Sequence, residues 1–277
     1  MLGLLLLQVL ASCLWLGHSE VVKSFATCPQ FFYAGTPPND VLKPNNPAWI
    51  CQRFRNLHRY ATLYDRDRRI PVYSAYKYKP GSGKTTDMPW FVEPQLIGKN
   101  NLKEMERESV LMDQHKFTSD QIKESQAVPA DYKGLKGLDL GHLNPTGHQD
   151  GVENKTATFS LTNIVPQDKS LKKGQWSVYE SKTMSKISQG CNTTYVITGA
   201  VPGNINIAEG RINRPSHIWS ATCCLVGKKT MKAWGAIAEN SKNKVENLSL
   251  GELEERLTKL YGGKKKVSLF NKACPRQ

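Results

Sequence analysis

Cys223 and Cys224 stand side by side in a run, His217 to Leu225, that reads as a β-strand. Successive side chains of a strand point to opposite faces of its sheet, so adjacent thiols there take different partners. Seven cysteines occur in the chain, and Cys13 falls in an apolar leader. The others are Cys28, Cys51, Cys191, Cys223, Cys224 and Cys274. An even number in a chain that leaves the cytosol predicts a disulfide framework, whose pairing the sequence leaves open. Zinc binding is disfavoured, because there is no Cys-x-x-Cys pair with histidine partners at zinc spacing.

The leader runs from Leu2 to Leu16 almost without a polar residue, and Gly17-His18-Ser19 follows with small residues where a signal peptidase reads. That run is shorter than the ~20 residues needed to span a bilayer, so a signal peptide over residues 1–19 is expected rather than an anchor. No later segment is long and apolar enough to span either. The expectation is a secreted, extracellular chain of about 258 residues, 20–277, large enough for one domain with a sizeable core. Three acceptor sequons, at Asn154, Asn192 and Asn247, make it a candidate glycoprotein. The net charge of +14 lies wholly outside the leader, which has no Asp, Glu, Lys or Arg. Such a surface favours nucleic acid or another polyanion as partner.

Tyr60–Tyr64 and Ile70–Tyr78 read as two strands of a hairpin with a charged turn, and Leu102–Gln114 as a helix. Tyr195–Gly199, His217–Leu225 and Ala233–Ala238 are further strands. Ser249 and Glu252 have capping-box spacing before Leu250, Leu253, Leu257 and Leu260, whose helical periodicity makes a core stripe. Strands and helices mix without regular βαβ alternation, so the class is α+β, with a mixed, largely antiparallel sheet and flanking helices.

One constellation carries chemistry. Asp139-Leu140-Gly141-His142 leads to Thr158-Phe159-Ser160-Leu161-Thr162-Asn163, then to Pro166-Gln167, then to a helical run with Lys172, Trp176 and Glu180. The pattern predicts a ββα unit over Leu135–His142, Thr158–Val165 and Leu171–Ile187, with positions 172, 176 and 180 on one helix face. His142 is the candidate general base, and Asp139 or a backbone carbonyl is placed to orient its ring. Glu180 is a candidate for holding a metal-bound water. Asn163 and Gln167 bracket the turn, where they either hold the loop or contact the site. Asn144 is a further candidate.

These motifs, with Asp131-Tyr132-Lys133-Gly134 before them and Tyr195-Val196-Ile197-Thr198-Gly199 after, resemble the DNA/RNA non-specific endonuclease family with its ββα-metal (His-Me finger) site. The resemblance covers most of the chain beyond the leader. It implies a metal-dependent hydrolase that cuts phosphodiesters of DNA or RNA, with His142 as general base. It also implies one divalent metal, Mg²⁺ or Mn²⁺, on a helix asparagine, and an arginine that assists the transition state.

Three positions depart from the family pattern. Leu140 stands where the family has arginine, and Lys172 falls on the metal-binding asparagine when Gly174 and Trp176 are aligned. A further family arginine lies before the tryptophan matching Trp90, where Lys84 is the nearest cation. A protonated ammonium cannot ligate a metal and repels it. An active nuclease would then need Glu180, Asn163 or Asn144 to supply the missing ligand, with Lys84, Lys172, Gln167 and Asn144 contacting substrate. The alternative is a secreted pseudonuclease that binds nucleic acid or another polyanion without cutting it. In a third reading the scaffold serves an extracellular interaction protein.

Overall fold

The computed structural model describes residues 20–85, 87–227 and 230–277. The expected signal peptide, 1–19, lies outside them. An eight-stranded sheet organises the fold. Its strands, in spatial order, are Val21–Val22, Pro47–Phe54, Leu57–Asp65, Ile70–Lys77, Thr193–Val201, His217–Val226, Thr230–Glu239 and Glu246–Leu248. Every neighbouring pair is antiparallel. The α+β expectation, the hairpin across residues 66–69 and the three later strands are all met.

Strand periodicity distributes the core over both faces of this sheet. Val196 and Ile218 face one layer, with Tyr76, Leu143, Ile164, Trp176 and Met184. Their chain neighbours Ile197 and Trp219 face the other, with Phe32, Leu63, Leu253, Leu257 and Phe270. The rear layer is anchored by the helix Leu250–Leu260, whose capping box forms as expected between Ser249 and Glu252. Leu250, Leu253 and Leu257 are buried against the sheet. Gly235 permits this contact, since a Cβ there would lie 2.8 Å from Leu253.

The six cysteines pair as Cys28–Cys51, Cys191–Cys224 and Cys223–Cys274. Cys223 reaches the rear layer and ties down the C-terminal segment, whereas Cys224 turns to the other face. The adjacent pair therefore divides between two partners as strand geometry requires.

Three expected elements are shorter than their sequence patterns, the first strand of the site unit starting at Leu138 rather than Leu135. The run Leu102–Gln114 is helical only over Glu108–Asp113, because Glu106–Arg107 pairs with Phe91–Val92 as a two-stranded ribbon. The second strand of the site unit begins at Ile164 rather than Thr158. Val152–Ala157 is a helix, and Leu161–Asn163 is a single 3₁₀ turn. Hydrogen bonds from the Asn163 side chain to Thr158 and Asn144 hold that stretch as a compact turn, which removes it from strand pairing.

Candidate functional site

The site stands on the front layer. Leu138–His142 pairs antiparallel with Ile164–Asp168, with Asp139 opposite Gln167 and His142 opposite Ile164. Gly141 allows this crossing: a Cβ there would lie 2.5 Å from Gln167 Oε1. Helical structure follows in pieces. Lys169–Lys173 is capped by Asp168, whose Oδ1 accepts from Ser170 N at 2.9 Å and Leu171 N at 3.2 Å. Gly174 breaks the helix with φ −103° and ψ −117°. Gln175–Val178 resumes it, Tyr179–Thr183 widens into a π turn, and Met184–Ile187 completes it. Lys172 thus stands on a separate turn before a kink, rather than on one continuous face with Trp176 and Glu180.

His142 is clamped by aromatic rings. Its ring centroid lies 5.7 Å from Trp90 and 5.2 Å, edge-on, from Phe159. Its Nε2 is shielded from solvent and has no hydrogen-bond partner among the described residues. Burial, with help from the Lys172 ammonium and against the pull of the Asp139 carboxylate, pushes the imidazole down to about 3. The ring is therefore neutral at physiological pH, with the free lone pair a base needs but reduced basicity.

Asp139 does not hold that ring. Its Oδ1 accepts from Leu140 N at 2.8 Å, and its Oδ2 lies 3.2 Å from Lys172 Nζ. Burial raises its pKa, but the Leu140 N–H and the Lys172 ammonium outweigh this and hold the carboxyl below its ordinary range. Glu180 sits on the π turn, where its Oε1 accepts from Trp176 Nε1 at 2.9 Å. Burial pushes its carboxyl up to about 7, although Trp176 and Lys172 both act the other way. Lys172 is thus the cation shared by Asp139, His142 and Glu180.

The two asparagines differ in how fully the fold uses them. Asn163 Oδ1 accepts from Ser74 Oγ at 2.9 Å and Asn144 N at 2.9 Å, and its Nδ2 donates to Asn144 O at 3.1 Å and Thr158 O at 3.0 Å. Both lone pairs and both amide protons are used, so Asn163 has nothing left for a metal. Asn144 is fully buried and its Oδ1 accepts from Gln149 Nε2 at 2.9 Å. Gln167 is buried against Gly141, and its Nε2 has no hydrogen-bond partner among the described residues. Lys84 is exposed on the loop before Trp90.

One residue that shapes the site carries no signal in the motif pattern. His148 is buried, with Nε2 2.9 Å from Glu180 O and Nδ1 2.9 Å from Tyr76 Oη. A carbonyl only accepts, so Nε2 carries the proton and Nδ1 accepts from the tyrosine. Burial holds this ring down to about 4. His148 thereby pins the backbone of the π turn to the sheet. Only its place just beyond His142, in Pro145-Thr146-Gly147-His148, could have pointed to it.

These side chains do not make a divalent-metal site. Among the described residues no three of His, Cys, Asp and Glu gather as a ligand set. Asn163 is saturated, and an ammonium stands beside Asp139 at 3.2 Å.

Residues 37–262 match the family model described as DNA/RNA non-specific endonuclease. The chain belongs to this family. It is 32% identical to the Endonuclease domain-containing 1 protein of Mus musculus over 240 residues, which is 84% of this chain and 46% of that protein. With the Homo sapiens protein of the same name it shares 33% over 213 residues, 75% of this chain and 40% of that one. The chain thus spans less than half the length of these relatives. A nuclease of Nostoc sp. is 27% identical over 101 residues, 36% of each. The EndoG chain in a crystal structure of the EndoG/EndoGI complex aligns with TM-score 0.52 and 16% identity, over 76% of this chain and 84% of that one. This likeness establishes the ββα-metal nuclease fold. The family is one of metal-dependent nucleases.

Proposed function

We propose that this family member is a secreted protein that binds the phosphodiester backbone of nucleic acid in the His142 cleft without metal-dependent cleavage. The Lys172–Asp139 pair at 3.2 Å carries the reading. An ammonium fills the position from which the family coordinates its cation, so the site meets a phosphate through Lys172 itself. One of its three N–H groups serves Asp139, which leaves the others for phosphate oxygens. The +14 charge strengthens encounter with any polyanion. Three disulfides support an oxidising, extracellular setting.

Retained hydrolysis is the second reading, favoured by the unpartnered Nε2 of His142. It would draw on Glu180, whose carboxylate accepts from Trp176 rather than pairing with Lys172 as Asp139 does. Binding to short DNA and RNA duplexes over a salt series, with plasmid nicking in Mg²⁺, in Mn²⁺ and in chelator, separates the two. Steep salt-dependent binding without chelator-sensitive nicking is expected. Chelator-sensitive nicking lost in His142→Ala would establish hydrolysis instead.

A further inference from the structure

We propose that Asn247 carries an N-linked glycan whose first sugars lie in the groove beside Trp234. The inference rests on the secretion reading above, but on a different part of the molecule. The three sequons are not equivalent in the fold. Asn154 is half-buried, its Nδ2 donates to Asp150 O at 2.8 Å, and its Oδ1 accepts from Arg59 Nη1 at 3.0 Å. Asn192 is exposed, with its Oδ1 accepting from Gly227 N at 3.0 Å. Asn247 is exposed, and its side chain makes no hydrogen bond among the described residues.

Register places Asn247 over a groove. It lies opposite Ala236 across the strand pair, so Trp234, two residues before Ala236, is its diagonal neighbour on the same face. A cavity of about 430 Å³ opens there, lined by Trp234, Ile187, Leu248, Thr183, Lys182 and Lys186. That volume is in the range of small-ligand sites. Its chemistry suits a pyranose: the indole takes the C–H face of a sugar, while Lys182, Lys186 and Thr183 meet its hydroxyls. The occupant is tethered at the rim, so its local concentration is high without intrinsic affinity.

Position adds a consequence. Glu246–Leu248 is the outer strand of the sheet, with an unpaired edge that favours pairing with another chain. A glycan at Asn247 places a bulky polar group on that edge strand. It also packs against Lys182 and Thr183, on the same π turn as Glu180. Ser249, the sequon hydroxyl, is the helix N-cap as well, accepting from Glu252 N at 3.2 Å. Removal of the sugar must therefore be tested through Asn247→Gln rather than through Ser249.

The full chain is to be expressed in animal cells, recovered from the medium and mapped for glycan occupancy. Peptide N-glycosidase release is then timed on native and on denatured protein. Asn192 and Asn247 should both be occupied. Native release at Asn247 should be roughly ten-fold slower than at Asn192, the ratio a contact of about 1.4 kcal/mol imposes. Denaturation, or Trp234→Leu, should equalise the rates. An unoccupied Asn247 beside an occupied Asn192, or equal native release at both, overturns the proposal while leaving secretion intact. A chain retained in the cell with every sequon bare overturns both.

Discussion

Lys172 Nζ stands 3.2 Å from Asp139 Oδ2, across the gap between the strand that ends in His142 and the turn that precedes the site helix. Both side chains are about 30% exposed. A pair this accessible contributes below about 1 kcal/mol to stability, so its importance is positional. Lys172→Asn should leave the melting temperature nearly unchanged, free the Asp139 carboxylate and create an oxygen ligand beside it. Mg²⁺- or Mn²⁺-stimulated nicking should appear in this variant, and more strongly with Leu140→Arg added. Plasmid nicking over a metal series checks this; a double variant as inert as the wild type would remove Lys172 as the cause.

The Glu180 carboxyl, pushed up to about 7 by burial, gives the site a pH dependence. Below about 4.5 both the native and unfolded chains hold this proton, and burial costs nothing. As pH rises from there to about 7, only the native chain retains it, so native stability from this group declines and then levels off. Ionised Glu180 also repels phosphate. Nucleic-acid affinity should therefore fall as pH rises through about 7, and Glu180→Gln should flatten the profile. His142 and His148, held down to about 3 and about 4, stay neutral throughout. Fluorescence anisotropy on both proteins over this range measures it.

Asn163 should behave as a structural keystone. Asn163→Ala strands Asn144 N and two carbonyls in a buried place and leaves Ser74 Oγ with Thr62 Oγ1 alone. A loss of roughly 2–4 kcal/mol follows, since unpaired buried groups cost about 1–3 kcal/mol each. Asn163→Asp should be at least as harmful, because it aims a carboxylate oxygen at the carbonyls of Asn144 and Thr158. Chemical denaturation of both variants is the measurement; a variant as stable as wild type would leave Asn163 free for another role.

The Cys223–Cys274 bridge closes a loop with sequence separation 51. Chain-entropy arguments give a bridge of this span about 4 kcal/mol. The double replacement Cys223→Ala, Cys274→Ala should lower the melting temperature by about 8–16 degrees and expose the C-terminal segment to protease. Since that segment lies on the rear layer, low-salt DNA binding by the still-folded fraction should persist.

The sequence made the sheet legible where patterns were local and periodic. The 57–77 hairpin, the strands around Tyr195 and His217 and the Ser249 cap all follow from near neighbours in the chain. The site was legible in content but less so in geometry. His142, Lys172 and Glu180 do share one electrostatic neighbourhood. The Gly174 break and the π turn depend on tertiary contacts, with Asn243 receiving Gln175 N and His148 holding Glu180 O. Asn163 looked like a ligand because its side chain is versatile. Partners from a distant strand, Ser74 above all, decide that it is a clamp, and no local spacing encodes them.

The π turn at Tyr179–Thr183 sets a phase. Trp176 and Met184 are both buried in the front core, yet they lie eight positions apart. On a regular α-helix, at about 100° per residue, that spacing leaves them about 80° out of step. A π turn absorbs about one extra residue, so the interval acts as seven, and both side chains return to the same azimuth. The helix therefore contains two reading frames spliced at Glu180: a one-residue deletion within the turn would restore a regular α-helix with Met184 still facing the core, whereas straightening the turn at full length would swing Met184 and Ile187 away from the core they fill.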